Sequence, residues 1–321
     1  MDPKHLMQLA VILDKGSITA AAESLLLTQP TLTRNMNTLE MQAGGPLFSR
    51  SRFGVKPTLL GDSLAREGRA VKRTLQSAQD SVARHKMGLS NLLRIGVGPL
   101  IGMGIAARLA DRMMSLHPHL TITVGTAPPQ RALEQLIDGE VDVIIAPAVY
   151  AQSPVGIARD LLAEDQIGVY CGPGHPLAGR AELTSSELAQ CDWVNVGTSS
   201  HFQAEQTELL AKNGVKQVRT RFATHNDGVV LLDFLLLNRH MAVLPGVPLM
   251  LLRDRYPFHE VPLPNGKSRR DLFVWCRQDI RESEVIESFI RQGQALIEQH
   301  RPSASDTPTH ARPNAPTDNR E

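Results

Sequence analysis

Residues 28–37 read Thr-Gln-Pro-Thr-Leu-Thr-Arg-Asn-Met-Asn, and they set the structure expected for the first quarter of the chain. Thr28 is a candidate helix N-cap, and Pro30 is tolerated in a first helical turn. Apolar residues recur at positions 32, 36 and 39, which is helical spacing. The other face carries Thr, Gln, Asn and Arg, with no acidic side chain before Glu40. The stretch therefore predicts an amphipathic helix whose polar face is rich in hydrogen-bond donors and acceptors.

Two further helices are expected before this one. Pro3 suits a first helical turn, Gly16 suits a helix end, and Ser17 can cap a second helix that is rich in alanine. Because only a short turn separates Leu25 from Thr28, the second and third helices should cross as a helix-turn-helix over residues 18–37. A polar face with few acidic groups suits the major groove of DNA, where base edges offer both donors and acceptors.

A basic hairpin is expected directly after these helices. Residues 48–58 read Phe-Ser-Arg-Ser-Arg-Phe-Gly-Val-Lys-Pro-Thr, with Gly54 at the turn. Arg50, Arg52 and Lys56 would line one protrusion that can reach phosphates. The whole chain has a net charge of +1, but its first 90 residues hold 12 Lys or Arg against 7 Asp or Glu. The basic character is thus concentrated in the first quarter of the chain, which contains the predicted DNA-binding domain, residues 1–58.

A long linker helix is predicted for residues 59–90. Its apolar positions follow a heptad-like seam, and the positions taken as a dimer contact are Leu64, Val71, Leu75, Ala78 and Val82. A helix of this length outside a compact core usually pairs with another helix, and self-pairing is the natural choice. A dimer would present two recognition helices to a two-fold site.

The apolar period changes at Leu92, where alternating strands and helices begin. Strands at 92–97, 120–124 and 141–146 with intervening helices predict a parallel, doubly wound sheet. A second α/β series follows, so the chain should form two lobes that hold a small ligand in the cleft between them. We assign 91–162 and 266–300 to lobe I and 163–265 to lobe II, together the effector-binding domain 91–300. Residues 301–321 are poor in apolar residues and are expected to be a disordered tail.

Two other classes of function compete with this interpretation. Residues 96–102 read Gly-Val-Gly-Pro-Leu-Ile-Gly, but this G-x-G-x-x-x-G spacing differs from the dinucleotide fingerprint. No nucleophile elbow or metal-ligand motif is found, and the three cysteines are widely spaced, so we expect no enzyme activity, cofactor or metal site. The other class is a ligand-binding protein whose N-terminal helices serve only to form oligomers.

Neither a membrane span nor a leader is expected. The longest apolar stretches, such as residues 229–237, are too short to span a bilayer. The first residues, Met-Asp-Pro-Lys-His, contain no apolar signal region. We therefore expect a cytoplasmic protein that is associated with the nucleoid and does not bind membranes.

Residues 9–61 resemble the DNA-binding domain of LysR-type transcriptional regulators. The resemblance lies in Lys-Gly-Ser-Ile-Thr-Ala-Ala-Ala from position 15, Thr-Gln-Pro-Thr-Leu-Thr-Arg from 28, Leu-Glu at 39–40 and Pro-Leu-Phe-Ser-Arg from 46. Gly-His-Pro-Leu-Ala at 174–178 and Met-Ala-Val-Leu-Pro at 241–245 look like landmarks of the family's effector domain. Among the departures, Ile18 stands where Phe is usual.

The resemblance implies a winged helix-turn-helix, a dimerising linker helix and a two-lobed α/β effector domain like periplasmic binding proteins. It implies a homodimer or homotetramer on a double-stranded DNA operator, with an RNA polymerase contact where the protein activates transcription. The residues expected at the DNA are Thr28, Gln29, Pro30, Thr31, Thr33, Arg34, Asn37, Arg50, Arg52 and Lys56. Those expected at a small-molecule effector are Pro99, Leu100, Thr126, Thr198, Ser199, Ser200, His201, Phe202, His225 and Asn226. Backbone N–H groups and hydroxyls there favour a small organic anion, although Pro99 stands where the family usually has a hydroxyl.

Overall fold

The structure is a computed structural model that describes residues 1–51, 54–86, 91–196 and 201–301. The chain divides into two compact units. The first comprises Met1–Gly96, His119–Gly125 and Gln130–Ile144, and the second comprises Val97–Pro118, Thr126–Pro129 and Ile145–Glu321. Of the predicted tail, residues 301–321, all but Arg301 lie outside the described residues, as do residues 87–90 at the end of the predicted linker helix.

The N-terminal elements follow the predicted order. They are α1 (Pro3–Lys15), α2 (Ile18–Ser24), α3 (Gln29–Ala43), β1 (Phe48–Ser51), β2 (Gly54–Pro57) and α4 (Leu59–Lys86). The hydroxyls of Ser17 and Thr28 cap α2 and α3 by accepting backbone N–H groups, and Gly16 ends α1 at φ 64°. The caps read from the sequence are therefore present, because each depends only on groups within three residues.

A small apolar core joins these helices. Leu9 and Ile12 of α1 and Leu32, Met36 and Leu39 of α3 are fully buried in it. The positions 32, 36 and 39 chosen by helical period are thus the buried face of α3. The polar face of α3 is consequently left toward solvent.

The first part of α4 crosses α1 at very short range. A Cβ atom on Gly68 would lie 2.0 Å from the carbonyl oxygen of Leu6, and one on Gly61 would lie 1.7 Å from that of Leu47. The guanidinium of Arg69 also donates to Asp14 Oδ1 from Nε at 3.1 Å and from Nη2 at 2.7 Å. Glycine at 61 and 68 therefore lets α4 dock on the N-terminal domain.

The remaining elements form two sheets with covering helices. The first series is β3 (Leu92–Val97), α5 (Pro99–Ile101), a π-helical turn at Gly102–Ala106, α6 (Ala107–Leu116), β4 (Thr121–Thr126), α7 (Pro129–Ile137), β5 (Val143–Pro147) and β6 (Ile157–Ala163). The second is β7 (Gln166–Cys171), α8 (Ser185–Gln190), β8 (Asp192–Val196), α9 (His201–Lys212), β9 (Arg219–Thr224), α10 (Gly228–Leu235), β10 (His240–Pro245), α11 (Gly246–Leu252), β11 (His259–Val261) and β12 (Ser268–Arg269). The chain then continues through β13 (Leu272–Arg277), a 3-10 turn at Gln278–Ile280 and α12 (Glu284–Glu298).

The six-stranded sheet is mixed, and the five-stranded sheet gains an antiparallel pair beyond the three strands for which a parallel arrangement is expected. The five-stranded sheet has the order β4-β3-β5-β13-β6, and β13 pairs with β6 antiparallel. The six-stranded sheet has the order β11-β7-β10-β8-β9, and β12 also pairs with β7. In this sheet β8 lies parallel to both β9 and β10, whereas β7 pairs antiparallel with β10. The antiparallel strands β6, β7 and β13 flank the points where the chain passes from one sheet to the other. Such strands need no crossover helix, unlike the strands of a βαβ unit.

Asp165 hydrogen-bonds the two segments through which the chain passes from one sheet to the other, β6 to β7 and β12 to β13. Its side chain, on a residue only 5% exposed, accepts the N–H groups of Gln166 at 2.7 Å and Val247 at 2.8 Å through Oδ1. Its backbone N–H donates to Asp271 Oδ1 at 3.3 Å, and its carbonyl accepts the N–H of Arg270 at 2.8 Å. Burial raises the pKa of the Asp165 carboxyl to about 6, although the backbone N–H donors and Arg270 act in the opposite direction.

Candidate functional site

The start of α3 presents exposed polar groups to solvent. Thr28, Gln29, Pro30 and Thr31 are all exposed. Thr28 Oγ1 accepts the N–H of Thr31 at 3.3 Å and lies 2.8 Å from Thr31 Oγ1. These bonds hold the first turn of the helix rigidly, while the amide of Gln29 extends from it.

The same face continues along α3. Arg34 and Asn37 are exposed and Thr33 is half-buried. Asn35, which the sequence suggested for the polar face, donates instead from Nδ2 to Gln8 Oε1 of α1 at 3.0 Å. Asn35 thus anchors α3 on α1, and Arg34 leaves an exposed cation on the polar face.

The predicted hairpin is present beside these helices. Strands β1 and β2 pair antiparallel from Phe48 opposite Pro57 to Ser51 opposite Gly54. The N–H of Val55 donates to the carbonyl of Gly16 at 2.9 Å, which fixes the hairpin to the end of α1. Lys56 is exposed on β2. Arg50 belongs to β1, and Arg52 lies outside the described residues.

One residue in the turn before α3 was missed by the sequence analysis. Leu26 has a positive φ of 55° and is 94% exposed. A leucine carries no sequence signal for the left-handed region, which is normally occupied by Gly or Asn. Only the folded turn identifies this position.

The predicted dimer seam divides into two parts along α4. Leu64 packs against the N-terminal core, and Val71 is half-buried. Farther along, Leu75 is 51% exposed and Val82 57% exposed, and Ala78 is also exposed. The early part of the seam is thus covered within the chain, while these three side chains remain accessible to a partner helix.

The loop after β3 contacts the start of α10. A Cβ atom on Gly228 would lie 3.3 Å from both Leu100 Cδ2 and Pro99 Cβ. Leu100 is buried in the apolar cluster that also contains Leu231 and Val194. Thr126, exposed at the end of β4, places its methyl group 3.5 Å from where a Cβ of Gly102 would be. The fold therefore brings positions 99, 100, 126 and 228 into one region.

The second-lobe loops are described in part. His225 is exposed, and Asn226 has a positive φ of 59°. Asp227 caps α10 by accepting the N–H of Val230 at 3.0 Å, so a carboxylate already occupies the start of that helix. Phe202 packs on the core of the second lobe beneath the guanidinium of Arg270, which lies 4.7 Å from its ring centroid. His201 begins α9, and Thr198, Ser199 and Ser200 lie outside the described residues.

The described residues contain neither a metal-binding cluster nor a membrane-spanning helix. Among residues 1–51, 54–86, 91–196 and 201–301, no group of three or more His, Cys, Asp or Glu residues could hold a metal ion. None of the helices in those ranges combines the length and the apolar composition required to span a bilayer.

Comparison with known proteins matches both parts of the chain. Residues 3–62 match the family described as bacterial regulatory helix-turn-helix protein, lysR family, and residues 86–296 match the LysR substrate binding domain. The uncharacterized HTH-type transcriptional regulator YdcI of Escherichia coli strain K12 is 30% identical over 175 residues, 54% of this chain and 57% of that protein. The HTH-type transcriptional regulator GbpR of Rhizobium radiobacter is 25% identical over 224 residues, 67% of this chain and 72% of that protein.

Solved structures show the same fold at low identity. CbnR in complex with its target DNA has a TM-score of 0.59 at 16% identity, covering 92% of this chain and 100% of that one. A hydrogen-peroxide-bound OxyR mutant of Corynebacterium glutamicum has a TM-score of 0.54 at 20% identity, covering 93% of each chain. The family matches cover the N-terminal helices and most of the α/β region, and the family is one of regulators rather than enzymes. The chain belongs to the LysR family of DNA-binding transcriptional regulators.

Proposed function

We propose that this regulator binds a two-fold operator as a dimer or a dimer of dimers and responds to a small organic anion. The observation that carries the DNA part is the exposed start of α3, which lies on the core beside a basic hairpin. The first two turns of α3 read base edges, with Gln29 and Arg34 supplying donors. Lys56, Arg50 and Arg52 bind phosphates and add affinity that depends on salt.

The assembly follows from the exposed part of α4. Leu75, Ala78 and Val82 pair with the same residues of a second copy, since a row of exposed apolar side chains on a long helix favours helix pairing. This arrangement sets two copies of α3 on two half-sites. We place the DNA-binding domain at 1–58, the linker helix at 59–90 and the effector domain at 91–300.

The effector site lies in the interlobe cleft around the loop after β3. Gly98, at the N-cap position of α5, has no side chain that could cap the helix, and Pro99 has no N–H, so the N–H groups of Leu100 and Ile101 are the donors proposed for a carboxylate. Thr126 and His225 add donors, and Ser199, Ser200 and His201 are expected to do so. Asp227 disfavours an anion at the start of α10, which makes the α5 side the better position.

The cellular role follows from DNA binding. The protein acts in the cytoplasm on the nucleoid, and an activating complex would also contact RNA polymerase. Effector binding shifts the population of lobe arrangements and, through α4, the spacing of the two DNA-binding domains.

Genome-wide binding of the tagged protein tests this proposal. We expect the bound fragments to share a two-fold motif, and the genes beside them to indicate a metabolic pathway whose anions can be added to the purified complex. If no DNA fragment were enriched, either with or without those anions, the result would contradict the proposal that α3 reads DNA. The α/β domain would then be the main functional part, as in a ligand-binding protein with oligomerising helices.

A further inference from the structure

Helix α2 ends in a Schellman motif whose left-handed position is a leucine. The N–H of Leu26 donates to the carbonyl of Glu23 at 3.1 Å, and the N–H of Leu27 donates to that of Ala22 at 2.9 Å. Leu26 itself has φ 55°. This pair of bonds requires a left-handed residue between them, and glycine is the residue that adopts this conformation without steric strain.

Leucine is an unfavourable residue at this position for two separate reasons. In the part of the chain with assigned backbone, the other positive-φ residues are glycines, such as Gly16 and Gly44 at the ends of α1 and α3, or the asparagines Asn226 and Asn238. Leu26 alone brings a bulky side chain to such a backbone. Because it is 94% exposed, the side chain gains no burial in the free protein that could offset the strain.

The direction of the side chain connects it to the nucleic-acid interface. Leu25 and Leu27, on either side, pack against the N-terminal core, whereas Leu26 projects into solvent. Two residues later, Thr28 begins the exposed first turn of α3. Leu26 is therefore continuous with the face that we propose for the groove.

We propose that Leu26 makes an apolar contact with operator DNA. This inference rests on the proposed reading of DNA by α3. The chemistry that leucine methyl groups can recognise on DNA is C–H surface, either the C5 methyl of thymine or the carbons of deoxyribose. The contact forms only in the complex, and burial of the side chain there compensates for its unfavourable position in the free protein.

The test begins with DNA selected from a random duplex library by the purified wild-type protein. Binding of this DNA is measured by fluorescence anisotropy for the wild type, Leu26→Asn, Leu26→Gly and Met41→Asn. Met41 is an exposed apolar residue near the other end of α3 and serves as the matched control. Asn and Gly both tolerate positive φ, so both Leu26 variants should fold and melt at a higher temperature than the wild type.

We expect the two Leu26 variants to bind the selected DNA about fivefold more weakly, as loss of one apolar contact implies. Met41→Asn should bind like the wild type. Unchanged affinity in both Leu26 variants would overturn the proposal, as would an equal loss in Met41→Asn. If the wild type selects no sequence at all, the proposed DNA reading fails first, and the Leu26 contact falls with it.

Deoxyuridine distinguishes the two sources of the contact because it lacks the thymine methyl. If Leu26 contacts that methyl, replacing one particular thymine weakens the wild type and leaves Leu26→Asn unaffected. If Leu26 contacts deoxyribose, every thymine replacement affects both proteins equally, while Leu26→Asn stays weaker throughout. Both results support an apolar contact, and they assign it to different atoms.

Discussion

Arg34 is exposed on the polar face of α3, whereas its neighbour Asn35 is bonded to Gln8. Adjacent side chains on one helix therefore have different roles, because successive residues point about 100° apart around the helix axis. The sequence identified the polar face but could not separate the residue that anchors the helix from the residue that remains available.

Replacing Arg34 by alanine should weaken binding to the selected DNA by about 1–3 kcal/mol if the guanidinium reads a base. A filter or anisotropy titration at fixed salt measures this. Arg253→Ala is the control, since Arg253 is exposed on the α/β domain and its loss changes the net charge equally. Equal affinities for the wild type and Arg34→Ala would remove Arg34 from the interface.

Asp165 carries a pH dependence with a definite sign. Its folded pKa of about 6 lies above the ordinary value for an aspartate, so the folded state binds the proton more tightly than the unfolded state. The contribution of this group to stability is present at low pH and is lost as the pH rises through about 4 to 6.

Asp165→Asn isolates this effect, since the amide oxygen of asparagine can accept the same two N–H groups as Oδ1. As the pH rises from about 4 to 7.5, the free energy of unfolding of the wild type should fall relative to that of the variant by up to about 3 kcal/mol. Urea unfolding at a series of pH values measures the difference. Parallel pH profiles for the two proteins would contradict a raised pKa at Asp165.

Among the elements, α4 shows why glycine spacing matters. Gly61 and Gly68 are one heptad apart and both meet backbone carbonyl oxygens of the N-terminal domain. The apolar seam of α4 was visible in the sequence, but the close approach at the glycines was not. The sequence around a helical glycine does not show which atoms pack against it, because those atoms belong to residues that are distant in the chain.

Gly68→Ala should lower the free energy of unfolding by about 1–3 kcal/mol, since the added methyl must displace the Leu6 carbonyl. This outcome is opposite to the gain that alanine normally brings to a helix interior. Ser63→Ala, on the exposed face of the same helix, is the control and should be nearly neutral. Thermal unfolding monitored by circular dichroism compares them, and a stabilised Gly68→Ala protein would refute the tight crossing.

At the scale of the whole molecule, the exposed part of α4 connects the fold to its assembly. Leu75 and Val82 are seven residues apart, so they lie on nearly the same face of the helix. Neither side chain is covered in the single chain. A second copy would bury both.

A double change of Leu75→Glu and Val82→Glu should convert the proposed dimer to a monomer, because like charges would face each other across the helix pair. Sedimentation velocity measures the change in mass. Paired changes of Leu116→Glu and Val155→Glu, at exposed apolar residues elsewhere in the chain, control for added charge. A dimer that survives both α4 changes would place the contact elsewhere.

Much of the candidate site followed from local sequence. The caps at Ser17 and Thr28, the helix end at Gly16 and the buried period of α3 involve groups within one or two turns, so composition and spacing suffice to predict them. The same holds for the pairing of the two hairpin strands, in which Gly54 begins β2 opposite Ser51. The family resemblance rests on these residues, and the family matches confirm it.

Contacts between distant residues were decided by the tertiary structure alone. The pairing of β6 with β13 sets Ile157 opposite Arg277. The hydrogen bonds of Asp165 reach Val247 and Asp271, and Gly228 lies against Pro99 in the loop after β3. Short-range patterns contain no record of such partners, so the antiparallel pairing of β6 with β13 and the left-handed backbone of Leu26 were not expected. The local elements and the family could be predicted from short stretches of residues, because backbone caps and helical periods act over a few residues. The folded chain determined strand direction, close helix crossing and the exposed strained leucine, because each depends on atoms that only folding brings together or leaves uncovered.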